Sequence, residues 1–190
     1  MAIGYSDNIR SKWVQICTPE LLHRAMKSSK VKSVCAQLVD ALESNLRGEL
    51  GKEDYEEMKR KLKAQLPIIT PHATFKLGRR KNDEAIPSGL SIYDIDHIPD
   101  PRGYWEEKKK VLADKKILDL IVLVHVTPST QGLRLVFIIP EGMDIAMAQR
   151  WMSEQLEDKD YDSVVKDMAR PSFLVPEEYL LYINEEELFK

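Results

Sequence analysis

Apolar residues recur at helical spacing through the first third of the chain, and at alternating or continuous spacing after it. Met1 to Ile16 is only weakly periodic and reads as partly extended or frayed. Thr18 before Pro19-Glu20 joins an N-cap hydroxyl to proline at the first helical position, and Leu21, Leu22, Ala25 and Met26 supply one apolar face. Val31, Val34, Cys35, Leu38, Val39 and Leu42 predict a second helix over 31–46, ended by Gly48 and Gly51. A third, highly charged helix over 52–66 has Tyr55, Met58, Leu62 and Leu66 as its expected buried stripe, and Pro67 stops it. Beyond it the pattern becomes β-like. A strand is expected at 68–77, with Pro71 as a bulge or edge position, then a polar loop at 78–88 and a strand at 90–95. An amphipathic helix at 102–116, held by Trp105, Val111 and Leu112, leads to a buried strand at 117–126. A Ser/Thr/Gly turn at 127–132 and a second strand at 133–139 complete a hairpin. Helical segments at 143–156 and 161–169 and short strands at 173–175 and 179–183 finish the chain. Helices followed by a β-α-β-β-α core predict an α+β fold with a mostly antiparallel sheet. The helical region spans 1–66 and the α+β core 67–190.

Composition narrows the classes. The chain has 190 residues, 43% of them hydrophobic, enough for a proper core. A net charge of −3 gives no global basic field, so any nucleic-acid surface must be local. Cys17 and Cys35 lack metal-ligand spacing and read as reduced, cytoplasmic thiols. No segment is long and apolar enough to span a bilayer, and no membrane partner is expected.

The chemistry concentrates in Ser91-Ile92-Tyr93-Asp94-Ile95-Asp96-His97-Ile98. On a strand, Asp94 and Asp96 share a face, and two carboxylates so placed repel each other. A hard divalent cation, Mg²⁺ or Mn²⁺, would relieve that conflict and suggests phosphoryl or nucleotidyl transfer. On that reading, neutralising the pair leaves the protein no less stable. His97 falls on the opposite face by strand alternation, and His125 reads as a satisfied core histidine. In Thr127 to Phe137, the hydroxyls, the close-approach Gly132 and Arg134 suit a phosphate. Asp167 and Arg170, in Asp-Met-Ala-Arg, add a carboxylate and a guanidinium. Arg79-Arg80-Lys81 is the best local basic patch for nucleic-acid phosphates. Trp13, Trp105 and Trp151 read as core residues. A P-loop is absent from the sequence.

This order of Asp-x-Asp strand, Ser-x-x-Gly-x-basic hairpin and Asp-x-x-Arg resembles the archaeo-eukaryotic primase superfamily. More closely, 66–188 resembles the VirE-type N-terminal, primase-like domain of bacterial mobile elements and prophages. The resemblance implies an RRM-like sheet, with Asp94, Asp96 and Asp167 as metal ligands and catalytic carboxylates converging on one face. It also implies Ser129, Gly132, Arg134 and Arg170 at the incoming nucleoside triphosphate, nucleic acid as partner, and a helicase-type ATPase domain in the same or a partner chain. Many catalytic primases carry histidine where Arg134 stands. Arginine binds phosphate but does not titrate near neutral pH. A metal-dependent nucleotidyltransferase, a binding-only replication adaptor and a metal-dependent nuclease are therefore the alternatives the sequence leaves.

Overall fold

A computed structural model describes residues 2–158 and 167–190 of the chain. The N-terminus is partly extended: β1 (Gly4–Ser6) pairs antiparallel with β2 (Gln15–Ile16). α1 (Pro19–Lys27) begins at its proline, and the Thr18 hydroxyl accepts from the Leu21 amide at 3.2 Å. Ser28 ends α1 and caps α2 (Ser29–Leu46) by accepting from the Val31 amide, so the two helices join without a linker. α3 (Lys52–Lys63) packs on α2, with Leu62 and the following Leu66 against Val31, Val34, Cys35 and Leu38. Its buried line runs through Tyr55, Lys59, Leu62 and Leu66, at successive i+4, i+3 and i+4 steps. Met58, expected in that stripe, is 41% exposed, and the aliphatic stem of Lys59 takes its place.

The strand expected at 68–77 is two strands. The chain breaks at Pro71-His72 into β3 (Ile68–Thr70) and β4 (Ala73–Phe75), because proline has no amide for a continuing ladder. β3 pairs with β1 and with β9 (Ser172–Phe173), giving a sheet ordered β2-β1-β3-β9. β4 pairs with β5 (Ala85–Pro87), a strand inside the expected loop. The strand expected from 117 starts only at 121, after a 3₁₀ turn at Leu118–Leu120. The expected helical segment at 161–169 lies outside the described residues except for 167–169, which enter a turn closed by the Arg170 amide on the Asp167 carbonyl at 3.1 Å.

The second sheet positions the site. Its order is β10-β7-β8-β6, from β6 (Leu90–Asp96), β7 (Ile121–Val126), β8 (Gly132–Ile138) and β10 (Leu180–Ile183), all paired antiparallel. α4 (Pro101–Asp114) links β6 to β7, and α5 (Ile145–Leu156) follows β8. The chain is thus an α+β fold. Period-two alternation assigns the faces. Tyr93, Ile95, Val124, Leu133, Leu135 and Phe137 pack against Trp105 and Leu112 of α4 and Ala148, Met152 and Leu156 of α5. The opposite face divides. Leu90, Leu123 and Val136 join Ile3, Leu22, Met26 and Ile69 in a core shared with the N-terminal strands and α1, so the leading helices belong to the same packed unit. Farther along, that face carries polar side chains. β6 is a sheet edge, but its Ile92 amide donates to His72 Nε2 at 2.9 Å and its Ile92 carbonyl accepts from Gln149 at 3.0 Å, which closes it to further pairing.

Candidate functional site

Register sets the first row of the site. Asp94 on β6 lies opposite Arg134 on β8, and Arg134 lies opposite His125 on β7. The three side chains therefore cross the sheet side by side on its polar face. One step along, Asp96 faces Gly132. A Cβ on Gly132 would stand 2.5 Å from the Ile95 carbonyl oxygen and 3.4 Å from Asp96 Oδ1, so only glycine lets β8 approach β6 here.

Asp94 is held by arginine. Arg134 Nε donates to Asp94 Oδ1 at 2.5 Å and Nη2 to Oδ2 at 2.8 Å, a bidentate pair, while Nη1 donates to the Pro171 carbonyl. Arg170 Nη2 adds a longer contact to Asp94 Oδ2 at 3.5 Å. Both members of the main pair are largely buried, at 15% and 14% exposure. Burial disfavours the Asp94 charge, but Arg134, with Arg170 behind it, overrides burial and holds the carboxyl below its usual range. The repulsion expected between Asp94 and Asp96 is thus relieved by a guanidinium from the neighbouring strand.

A cavity of about 200 Å³ opens over this row. Lys59, Lys63, Asp94, Asp96, Arg134 and Arg170 supply its charges, and the 127–131 turn, His97, His125 and Phe173 complete the wall. Four cations face two carboxylates, one of them already paired. Lys63 has no hydrogen-bond or ion-pair partner among the described residues. Its pKa is lowered, chiefly by burial and then by Lys59 and Arg134, against the pull of Asp96. A cation so placed gains from any anion that enters. In the hairpin turn, Ser129 is buried, the Thr130 amide donates to the Thr127 carbonyl at 2.9 Å, and Thr130 takes a left-handed φ of 60°.

His125 is a buried core histidine, as expected, and also floors this cavity. Nδ1 bonds the Val126 carbonyl at 2.8 Å, and burial pushes its pKa down to about 4. His97 departs from the strand-alternation reading. β6 ends at Asp96, and His97 adopts φ 60°, which turns it onto the same cavity as the aspartates.

The remaining sequence candidates lie elsewhere. Asp167 is exposed, its Oδ1 accepting from the Ala169 amide at 3.1 Å and its carbonyl bonding His72 Nδ1 at 2.9 Å. It does not line the cavity that Asp94 and Asp96 share. The basic triplet divides. Arg79 is exposed beside Trp13, Arg80 turns inward to donate to the Ile9 carbonyl at 2.6 Å, and Lys81 is 4.0 Å from Glu84. Trp105 is a core residue, but Trp13 is 64% exposed, because it precedes an edge strand and has no layer above it.

Mg²⁺ or Mn²⁺ would need a donor set. Among the described residues, no group of three or more His, Cys, Asp or Glu side chains is arranged to hold a metal ion. Asp94 has both oxygens on Arg134, which leaves Asp96 as the open carboxylate. As arranged, Asp94 is committed to Arg134, so a divalent ion would meet one open carboxylate, Asp96, unless Asp94 gave up its guanidinium partner.

Residues 61–158 match the model of a family described as BT4734-like, N-terminal domain, and that span covers 98 of the 190 residues. The chain belongs to this family. No curated protein and no solved structure matches it. The matched span carries Lys63, Asp94, Asp96, His125, Ser129 and Arg134, whereas Lys59, Arg170 and Phe173 come from outside it. Lys59 and Lys63 do not stand out in the sequence because α3 reads as a uniformly charged helix. Their i, i+4 spacing beside Tyr55 and Leu62 is the signal that could have found them.

Proposed function

We propose that this domain binds the phosphate groups of a nucleotide or of a nucleic-acid strand, as a primase-like module in the replication of a mobile element or prophage. The observation that carries the reading is the cavity in which Lys59, Lys63 and Arg170 converge around the Asp94–Arg134 pair, with Lys63 unpartnered among the described residues. Asp94 and the Pro171 carbonyl take three of the five Arg134 donors and fix its plane, so the two remaining Nη hydrogens meet a phosphate without first being ordered. Lys63 supplies a point charge from α3, and Lys59 a second that Glu56 shares at 3.2 Å. The hairpin turn sets Thr127, Ser129 and Gln131 on the wall that a ligand meets, and Gly132 lets β8 close on β6 beneath it. Partial burial strengthens each charge-assisted bond relative to open surface.

Metal-dependent nucleotidyl transfer is the second reading, and the placement of Asp94 and Asp96 on one cavity favours it. It requires Asp94 to exchange its arginine partner for a metal.

Calorimetric titration with dATP in EDTA tests the first reading. Wild type is expected to bind, and Lys63→Ala to weaken binding roughly tenfold, since one charge-assisted bond contributes about 1.5–3 kcal/mol and about 1.4 kcal/mol is a decade. Protein that binds neither dATP nor an oligonucleotide under any condition would defeat the reading. Mn²⁺-dependent primer extension that Asp96→Asn abolishes would move the assignment to the enzyme.

A further inference from the structure

We propose that a single strand of nucleic acid leaves the phosphate cavity, crosses a neighbouring groove beside Phe173 and stacks a base on Trp13. This deepens the proposed function and rests on it for the inner end of the path. Three observations converge.

The first is continuity. A second groove of about 310 Å³ shares Lys59, Lys63 and Phe173 with the cavity and adds Ile9, Glu56, Arg60 and Ala64, so three cations face one carboxylate, which is paired with Lys59. Phe173 is therefore an aromatic wall common to both spaces. Ile9, on the groove wall, is four residues before Trp13 in the segment that also carries Arg10 and Lys12.

The second is the platform itself. Trp13 is 64% exposed, as is Ile16 three residues on, and Leu77, next to the Gly78 that pairs with Val14, is 71% exposed. An indole left this open is held in place from beneath. Trp13 forms an antiparallel bridge with Arg79, whose guanidinium carbon lies 5.9 Å from the ring centroid. The Val14 amide donates to the Gly78 carbonyl at 2.7 Å, and Gly78, at φ +67°, stands under the ring edge. Arg80 fastens the segment by donating from its side chain to the Ile9 carbonyl and from its amide to the Lys12 carbonyl. A fixed aromatic face flanked by cations is what base stacking with backbone contact needs.

The third is charge. Arg10 and Lys12 beside Trp13 in the chain, and Lys76 and Arg79 in the segment that pairs with it, are all exposed, in a chain whose net charge is −3. Charge complementarity selects a polyanion, and the aromatic face selects one with bases free to stack, which excludes a closed duplex.

Fluorescence anisotropy of the full chain with a labelled oligothymidylate of about 12 nucleotides, against a matching duplex, tests this. Wild type is expected to prefer the single strand. Trp13→Ala should weaken it about tenfold, Trp13→Phe should restore most of the affinity, and Arg79→Ala should lower the salt dependence by about one phosphate contact. Melting curves should match wild type, since both side chains are exposed. dATP titration of the same variants reads the inner cavity alone. Retained dATP binding with oligonucleotide affinity unchanged in Trp13→Ala and Arg79→Ala overturns the path and leaves the cavity assignment standing. Loss of self-association in Trp13→Ala without an effect on the oligonucleotide assigns the patch to a second copy of the chain and also overturns it.

Discussion

Asp94→Asn is expected to destabilise the domain by about 3 kcal/mol, which lowers the melting temperature by roughly 6–12 °C for a chain of this size. The pair it breaks is mostly buried, and Arg134 makes two of its three side-chain bonds to Asp94. Without the carboxylate, Arg134 stands near Arg170, Lys63 and Lys59 with Asp96 as the one carboxylate left on the cavity wall. Asparagine retains one acceptor but no charge. Removing both partners is less harmful, so Asp94→Asn with Arg134→Gln should recover part of the loss, and the double-mutant cycle should show a coupling of at least about 1 kcal/mol. The pH dependence has a definite sign. The folded carboxyl titrates below its unfolded value near 3.9, so its contribution is complete above that value and is lost as pH falls through the folded one. A metal site made of two repelling aspartates predicts the opposite: Asp94→Asn would be no less stable than wild type. Equal melting temperatures at pH 7 would therefore free Asp94 for a ligand and sink the structural pair.

That contrast shows which parts of the site the sequence disclosed. The Asp-x-Asp strand, the hairpin and the β-α-β-β-α order follow from local rules: two-residue alternation, a Gly-containing turn, and proline or hydroxyl caps such as Thr18. So does the sharing of one cavity by Asp94 and Asp96. What alternation does not disclose is the partner across the sheet. Asp94 and Arg134 are 40 residues apart and meet only because β8 lies between β6 and β7 in one register. A shift of one residue would have turned Arg134 to the α4–α5 side. Lys59 and Lys63 depend on how α3 docks, and Trp13 on its place at a sheet margin. Arg79 and Arg80 are adjacent and alternate, so the same loop sends one to solvent and the other to the Ile9 carbonyl. His97 leaves the alternation for a local reason, since its left-handed backbone turns the chain at the end of β6.

The floor of the cavity should make the domain acid-sensitive well above the carboxylate range. His125 is 3% exposed, with Nδ1 bonded to the Val126 carbonyl and Nε2 3.5 Å from the buried Ser172 hydroxyl. Burial, aided by the Arg134 charge, lowers its pKa from 6.5 to about 4, although the Val126 carbonyl and Asp94 act the other way. The native imidazole is therefore neutral at pH 5, where the unfolded chain has already taken up its proton. Between about 6.5 and 4 the unfolded state binds more protons, so stability falls as pH falls through that window, and this group contributes no slope above it. The loss is about 2 kcal/mol at pH 5 and approaches about 3 kcal/mol near pH 4. Buried His72, whose pKa is also lowered by burial, acts in the same direction. Melting temperatures measured at pH 7.5, 6 and 5 should decline by roughly 4–8 °C over that range in wild type. His125→Gln should flatten the decline even if it lowers stability at every pH, because the slope reads proton uptake and the intercept reads packing. An unchanged slope in His125→Gln would mean that the imidazole is already solvated, and with it the floor on which Arg134 and the proposed phosphate site rest.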